Sequence, residues 1–396
     1  MRTKYLYFTE TDLPERWAEI KEDFWGDLKT ETLRLVKRLM ENCLNDELNL
    51  VVKAPYYAHN PETRNDYRNG YYERSLETNI GFVNEIKVPR ARNTTFKTRV
   101  FDKYQRRQKE VNTTLMKMFL KGVSTREVGN VIEPLLGVTY SASTISNITK
   151  TLDAEVKTFH SKKLEDKYSY LFLDGITVKI KNCLKSEKML VLAAYGITKE
   201  GFKELIAFKI SNRENEANWT IFINDMYNRG LTGSNLKLII TDGQKGLLAA
   251  LDVVYPNVPR QRCWVHKLRN VASKLPKNLH STCLAESKLI YQAKNKRQAI
   301  KIFRKWKSKW NKKAEKAVKC IENDLDDLLR FFDSPEAHWK KIRTTNAIER
   351  NFREVRRRIR TMNVFTNHNS CDRIIFAVFN AMNNKWEKHP LKGFNQ

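Results

Sequence analysis

The sequence predicts an α/β protein in which a mixed β-sheet forms the core, a mostly helical region comes first, and an all-α insertion interrupts the sheet domain. From about residue 168 the apolar residues take up the spacing of strands, whereas the segments on either side indicate helices. The 396 residues are enough for a large core and for two or three domains.

The order of the strands indicates which kind of α/β fold to expect. Strand candidates lie at 170–180, 188–197, 203–210, 235–243 and 259–265. Helices from Trp219 to Tyr227 and from Leu247 to Val254 separate the last three candidates. An antiparallel trio followed by parallel strands with crossover helices is the layout of an RNase H-like fold. We assign its first part to residues 165–266.

Two segments open the chain. Residues 1–60 are predicted to be helical from the spacing of Trp17, Ile20, Phe24, Leu28, Leu35, Leu39 and Cys43, and no function attaches to them. Residues 61–112 interleave arginines with tyrosines, and two strand-like runs flank Gly81. This pattern predicts a β-hairpin, which either contacts DNA phosphates or is a small structural unit with solvated arginines.

Residues 113–160 predict three short helices. Ser124 and Glu127 form a capping-box pattern at the start of the second helix, which carries apolar Val128, Val131, Ile132 and Leu135 and ends near Gly137. Ser141 or Ser143 caps the third helix, whose outer face is short and polar. The pattern fits a DNA-binding helix-turn-helix, and a plain three-helix bundle is the alternative.

The composition indicates the partner and the compartment. Lys and Arg number 73 against 45 Asp and Glu, which gives a net charge of +28 and favours nucleic acid as a partner. The longest apolar run, MLVLAAYGI, is far shorter than the roughly 20 residues of a membrane-spanning helix. The six cysteines form no CxxC pair. With no signal peptide evident, we expect a reduced, cytoplasmic protein with no membrane partner.

The C-terminal part returns to helices. Residues 267–340 are rich in lysine, show no strong amphipathic stripe and are predicted to be a helical insertion. Residues 341–396 then complete the core. They contain a clear helix at 345–360 with an apolar stripe of Ile348, Phe352, Val355 and Ile359.

Three carboxylates are the candidate catalytic residues. Asp174 is expected at the end of the first strand and Asp242 at the end of the fourth, and each precedes a glycine that lets the backbone turn. Strands one and four are neighbours in the expected sheet, so the two carboxylates would repel each other unless a cation lies between them. Mg²⁺ prefers such oxygen ligands, and two ions can promote phosphodiester transfer.

Glu349, at the rim of the predicted apolar stripe, is the third candidate. A salt bridge to Arg353 is the alternative for this residue, and Glu354 is a second candidate on another helix face. For each aspartate alone, a simple turn at a strand end would also suffice. The combination of all three in this fold order favours a metal site.

Basic and polar residues are the candidate DNA contacts. They are Arg64, Arg68, Arg74, Arg90, Arg92, Arg126, Ser143, Thr144, Asn147, Lys150, Lys245, Arg350, Arg353 and Arg357.

Several motifs together resemble the mutator-type transposases of bacterial insertion sequences. They are YRNGYYERSL, VPRAR, GVSTREV, YLFLDGI, GLTGSNLKLIITDGQKGL, PRQRCWVHKLRNV and HWKKIRTTNAIERNFREVRRRIR. The resemblance implies an RNase H-like DDE transposase whose acidic triad maps onto Asp174, Asp242 and Glu349. It also implies two Mg²⁺ ions, with Mn²⁺ as a substitute, and double-stranded DNA partners, namely the terminal inverted repeats and the target. A homodimer associated with the bacterial nucleoid is expected.

The family also has a Cys-x-x-His motif, which is Cys263 and His266 in this chain. No second pair at metal spacing would complete a zinc site, so these two residues are expected to support the active site. Trp264 is either a core residue or a stacking platform for a base. Asn346 either orients Glu349 or DNA, or caps a helix.

Two other functions remain open. One is a catalytically silent DNA-binding protein derived from a transposase, whose signature would be loss of a triad residue. The other is a structure-specific nuclease on the same fold, which would not need a dedicated end-recognition region.

Overall fold

A computed structural model describes residues 13–55, 63–121, 123–182, 185–360 and 364–394. The chain divides into two compact units, Met1–Ile148 and Thr149–Gln396. None of the helices that the structure describes is both long enough and apolar enough to cross a membrane.

The first unit combines a long helix, a hairpin and three short helices. Its elements are α1 Leu13–Val52, β1 Arg68–Glu77, β2 Phe82–Ala91, α2 Lys109–Lys121, α3 Thr125–Leu136 and α4 Ala142–Thr149, which ends one residue inside the second unit. β1 and β2 pair antiparallel, and Gly81 lies between them, as the sequence predicts. Leu44 of α1 packs with Leu76, Val83 and Ile86 of the hairpin.

One face of α1 differs from the expected apolar stripe. The structure buries Leu44 and Leu48, whereas Leu28, Leu35 and Leu39 are 45%, 61% and 64% exposed. The spacing therefore predicts the helix correctly but selects residues that do not pack into the core.

The predicted N-caps of α3 and α4 are confirmed. Ser124 accepts a hydrogen bond from the Glu127 backbone N–H at 3.2 Å, and Gly137 ends α3 in the left-handed conformation at φ +71°. Ser141 accepts from the Thr144 N–H at 3.2 Å and so caps α4. Within α3 the apolar face is narrower than predicted, because Val131 and Leu135 are exposed.

The second unit contains the mixed five-stranded sheet that the sequence predicts. Its strands are β3 Tyr168–Asn182, β4 Lys185–Thr198, β5 Lys203–Ser211, β6 Leu238–Thr241 and β7 Arg260–Arg262, in the spatial order β5-β4-β3-β6-β7. β3, β4 and β5 pair antiparallel, and β6 and β7 add in parallel. The helices around the sheet are α5 Asp153–Ser161, α6 Glu216–Asn228 and α7 Lys245–Val254, with a 3₁₀ helix at Lys150–Leu152.

The prediction that Asp174 closes the first strand is wrong. β3 continues for eight residues beyond it because β4 is long enough to pair along the whole strand, with Asp174 opposite Ala193 and Gly175 opposite Leu192. Gly175 therefore does not turn the chain. The prediction holds for Asp242, since β6 ends at Thr241 and Gly243 has φ +85°.

The segment that follows β7 consists of helices joined by short turns. It begins at Trp264, so the fifth strand is shorter than the predicted 259–265. It contains α8 Trp264–Ala272, α9 His280–Tyr291, α10 Lys296–Glu322, α11 Leu325–Leu329 and α12 Glu336–Ile342, with 3₁₀ helices at Lys277–Leu279 and Arg330–Asp333. α10 buries an apolar stripe that the sequence analysis missed among the lysines, including Phe303, Trp306 and Trp310. Non-helical dihedral angles at Ala314 interrupt α10.

Two helices complete the second unit, α13 Asn346–Arg360 and α14 His368–Trp386. α13 buries Ile348, Phe352 and Val355, as predicted. The side chain of Ile359 is not among those that the structure describes. Between the two helices, Phe365 exchanges backbone hydrogen bonds with Lys179 and Lys181 of β3. This bridge attaches the segment just before α14 to the part of β3 beyond Asp174.

Candidate active site

Asp174 and Asp242 lie at the same level on two neighbouring strands. In the parallel pairing of β3 with β6, Phe172 is opposite Ile240. Extending this register by two residues sets Asp174 level with Asp242, just past the end of β6. Asp242 accepts a hydrogen bond from the Gln244 N–H at 2.9 Å, and Asp174 accepts one from the Gly175 N–H at 2.8 Å.

The environment of Asp174 opposes its negative charge. Burial raises the pKa of Asp174 to about 7, and repulsion from Asp242 and Glu349 adds to this rise. The Gly175 N–H and nearby His266 lower the same pKa but do not cancel the effect of burial. The three predicted carboxylates are therefore close enough to interact electrostatically.

Glu349 lies in the first turn of α13, which packs against β3. Its Oε1 is 3.2 Å from His266 Nε2 and 3.8 Å from Arg269 Nη1. The same oxygen is buried and accepts no hydrogen bond of acceptable geometry from the residues that the structure describes. The ion pairs of Glu349 are thus with α8 and not with Arg353. Glu354 pairs with Arg357 at 2.9 Å and does not belong to this cluster.

Cys263 and His266, at the start of α8, contact Thr345 and Glu349 at the start of α13. The Thr345 backbone N–H and hydroxyl both lie 3.2 Å from the Cys263 sulfur and donate to it. A hydrogen bond with Cys263 raises the pKa of His266 to about 8, although burial opposes this, and Asp174 and Glu349 raise it further. Burial alone would raise the pKa of Cys263, but the hydrogen bonds from His266 and Thr345 lower it overall.

Trp264 is fully buried, and its indole N–H donates to Leu328 O at 2.7 Å. Of the two roles considered for Trp264, the structure supports the core residue. Asn346 is exposed and is the first residue of α13.

A buried ionic group links the helical segment to the turn after β6. Asp324, between α10 and α11, pairs with both Arg262 and Lys267. Arg262 also donates to Gly243 O at 2.9 Å, directly beside Asp242. Lys267 is only 3% exposed, so Asp324 neutralises a charge that water cannot solvate. This group fixes the backbone that carries Asp242.

The carboxylate oxygens have the chemistry of a Mg²⁺ site. A buried Glu349 oxygen that accepts no hydrogen bond and the unfavourable charge on Asp174 both fit coordination of a cation. Within the described ranges, no three His, Cys, Asp or Glu side chains are arranged to hold one metal ion. Mg²⁺ needs only one or two protein carboxylates when water and phosphate oxygens complete its shell, so the residues present fit the ion.

The predicted DNA contacts in the hairpin divide into two groups. Arg64, Arg90 and Arg92 lie over tyrosine rings, and Arg90 and Arg92 are exposed. Arg68 and Arg74 have contacts inside the fold: Arg68 donates to Asn49 and Ala54 O, and Arg74 donates to Gln105 O while stacking on Phe101. Arg68 and Arg74 therefore contact other parts of the fold, and their binding to DNA stays a prediction.

The remaining predicted contacts lie at three further places. Arg126 on α3, Ser143 and Asn147 on α4, and Lys150 just after it are exposed, whereas Thr144 is partly buried. Lys245 is exposed at the start of α7, three residues after Asp242. Arg350, Arg353 and Arg357 are exposed on α13 at spacings of three and four residues, which set them in one row along the helix.

Sequence reasoning missed three residues of the site. Arg269 pairs with Glu349, and Thr345 donates hydrogen bonds to Cys263. Burial raises the pKa of Glu214, and repulsion from Asp242 adds to this rise, so a fourth carboxylate lies near the cluster. The Cys-x-x-His motif was the only signal that α8 would contact α13.

These observations define a mixed α/β protein with interacting carboxylates beside its parallel strands. A family model described as "Transposase, Mutator family" matches residues 9–389. The transposase of insertion sequence element IS905 from Lactococcus lactis is 34% identical over 362 residues, which is 90% of this chain and 91% of that protein. The transposase of ISRM5 from Rhizobium meliloti is 33% identical over 352 residues, 89% of this chain and 87% of the relative.

A third relative is the transposase of IS256 in transposon Tn4001 from Staphylococcus aureus, which is 33% identical over 383 residues, 95% of this chain and 94% of its own length. The chain therefore belongs to the Mutator family of transposases.

Proposed function

We propose that this chain is a DDE-type DNA transposase that binds the terminal inverted repeats of its insertion sequence and catalyses metal-dependent strand cleavage and strand transfer. One observation carries the proposal. Asp174 on β3, Asp242 after β6 and Glu349 on α13 approach closely enough that the two other carboxylates help raise the pKa of Asp174. A half-buried carboxylate that lies close to other carboxylates is typical of a functional site.

The fold we propose is RNase H-like. Three antiparallel strands followed by two parallel strands, in the order β5-β4-β3-β6-β7, support this assignment. Such a sheet sets the first and fourth strands side by side, and these are the strands that carry Asp174 and Asp242. The helices from α8 to α12 are the all-α insertion between the last strand and the catalytic helix.

Asp174, Asp242 and Glu349 would hold two Mg²⁺ ions, or Mn²⁺ in their place. Bound there, the ions would activate the attacking oxygen and stabilise the leaving oxygen of a phosphodiester. The chain's own residues prepare the ligands. His266 and Arg269 hold the Glu349 carboxylate from one side, and Arg262 fixes the turn that carries Asp242.

DNA binding is proposed for three surfaces. The exposed arginines of the hairpin and the polar face of α4 suit recognition of an element end. The arginine row of α13 lies on the helix that carries Glu349 and suits the strand to be cut. Joining an element to target DNA requires two ends, so we expect a homodimer, acting in the cytoplasm on nucleoid DNA.

Cleavage and joining on a labelled duplex that carries the element's own terminal repeat test the proposal. With Mg²⁺, the native protein is expected to cut the end and join it to a second duplex. Asp174→Asn, Asp242→Asn and Glu349→Gln are each expected to bind the end but not to cut it. If the native protein binds the end and neither cuts nor joins it, the chain is a DNA-binding protein and the proposed activity is wrong.

A further inference from the structure

A cavity of about 320 Å³ lies behind the catalytic helix, on the side away from Glu349. Ala347, Asn351 and Glu354 of α13 line it, and these positions point roughly 140° to 160° away from Glu349 around the helix. Its volume is in the range of about 300 to 1,000 Å³ that small-ligand sites occupy. The cavity is therefore distinct from the carboxylate cluster.

Three basic side chains lie around this cavity. Lys203 of β5, Lys341 of α12 and Arg350 of α13 line it. Among the residues that the structure describes, none of the three has a carboxylate within ion-pair distance. The cavity's one carboxylate, Glu354, pairs with Arg357 at 2.9 Å. The site thus has positive charge that no acidic group balances.

Asn351 gives an independent indication of a ligand. Its side chain is only 3% exposed, and its Nδ2 donates to no acceptor among the described residues. A buried amide without a partner is destabilising, so such groups normally have one. An acceptor in the cavity would supply that partner.

Lys203 lies among positive charges. Burial lowers the pKa of Lys203, and repulsion from Lys341 and Lys385 lowers it further. The Lys203 ammonium lies 5.2 Å from the centre of the Trp386 ring, which fixes it at the cavity wall. An anion between the lysines would remove the repulsion and accept hydrogen bonds from both.

The arginine row of α13 leads to this cavity. Arg350 lies at the cavity wall, and Arg353 and Arg357 continue from it over about 10 Å of helix. One DNA strand carries a phosphate about every 3.4 Å along its axis. A strand that lies along this row would therefore place a phosphate beside Arg350, at the cavity wall. The occupant that fits is therefore a phosphate of DNA rather than a neutral ligand.

We propose that the cavity lined by Lys203, Lys341, Arg350 and Asn351 binds one backbone phosphate of DNA, outside the carboxylate cluster. This inference rests on the proposed function and adds to it a second anchoring point for a strand that passes along α13. It assigns Lys203, Lys341 and Asn351 to DNA binding, which the sequence motifs do not indicate.

The salt dependence of DNA binding tests the proposal in the full-length protein. The logarithm of the association constant for a labelled duplex is measured against the logarithm of the salt concentration. Loss of one phosphate contact reduces the slope by about 0.9. The double variant Lys203→Gln, Lys341→Gln is expected to show this reduction. The matched control Lys312→Gln, Lys313→Gln removes the same charge from an exposed part of α10 and should leave the slope unchanged.

The Asn351→Leu variant tests how much the Asn351 amide contributes to DNA binding, independently of the lysine charges. It keeps the volume and the net charge, so the slope should stay the same while the affinity falls about tenfold, as expected for a lost hydrogen bond to a charged group. Melting temperatures of all variants show whether they remain folded. If the Asn351→Leu protein is unfolded, the slope measured for the lysine variant decides the proposal.

Inorganic phosphate distinguishes the two sources of the anion. If phosphate stabilises the native protein saturably, the lysine variant does not respond, and the slope for DNA is equal in both, the site binds free phosphate and the proposal is wrong. Equal slope changes in the lysine variant and the α10 control would also overturn it, because general charge would then explain both. A native protein that binds no duplex would refute the proposed function as well, whereas a native protein that cuts DNA with an unchanged slope in the variant refutes this inference alone.

Discussion

Replacing Asp174 by asparagine is expected to stabilise the metal-free protein above neutral pH. Burial and the neighbouring carboxylates raise the pKa of Asp174 from 3.8 to about 7. Between these two values the folded protein holds a proton that the unfolded chain releases, so the free energy of unfolding falls as the pH rises through this window. Asparagine carries no charge and does not suffer this loss.

The magnitude follows from the shift in pKa. A rise of about 3 units at about 1.4 kcal/mol each gives an upper limit of about 4 kcal/mol at pH 8. If about half of this is realised, the melting temperature rises by roughly 4 to 8 °C in a unit of this size. At pH 5 the advantage should be less than half as large, because only the part of the window between pH 3.8 and pH 5 has then been crossed.

Thermal unfolding in a chelating buffer at pH 5 and pH 8 measures this effect. Asp326→Asn is the matched control, since Asp326 is an exposed aspartate of the same unit. Added Mg²⁺ should then stabilise the native protein more than the Asp174→Asn variant. A variant that melts at or below the native temperature at pH 8, or that gains equally at both pH values, would refute the electrostatic account of this site.

Two further predictions concern the turn that carries Asp242. Asp324→Asn is expected to lower the free energy of unfolding by about 3 kcal/mol in urea titrations, because Lys267 and Arg262 lose their counter-ion in a poorly solvated place; a change below about 0.5 kcal/mol would mean that the pairs contribute nothing. Gly243→Ala is expected to abolish strand cleavage but retain DNA binding. The residue has φ +85°, and a new Cβ would overlap the Arg262 side chain. Full cleavage activity of this variant would contradict the role assigned to the turn.

The sheet and its carboxylates were accessible from the sequence because their signals are local. Apolar runs mark each strand, and the order of strands and helices fixes which strands are neighbours. The turn at Asp242 could be predicted for the same reason, because the adjacent Gly243 is a local signal for a change of chain direction.

Features that depend on packing between distant segments were not accessible. The length of β3 beyond Asp174 is determined by its pairing with β4, and no signal near Asp174 reveals that partner. The lysines of α10 hide a stripe that includes Trp306 and Trp310, because long charged side chains cover its other faces. The approach of His266 to Glu349 depends on how α8 packs, and residue spacing does not report it.

The central claim is that Glu349, and not another acidic residue of α13, completes the catalytic carboxylates. Single-turnover cleavage of a labelled element end by Glu349→Gln and Glu354→Gln tests it most directly. Both variants remove one negative charge from the same helix, but only Glu349 lies beside His266 and interacts with Asp174. We expect Glu349→Gln to bind the end without cutting it and Glu354→Gln to cut at close to the native rate. Cleavage by Glu349→Gln together with its loss in Glu354→Gln would contradict the account.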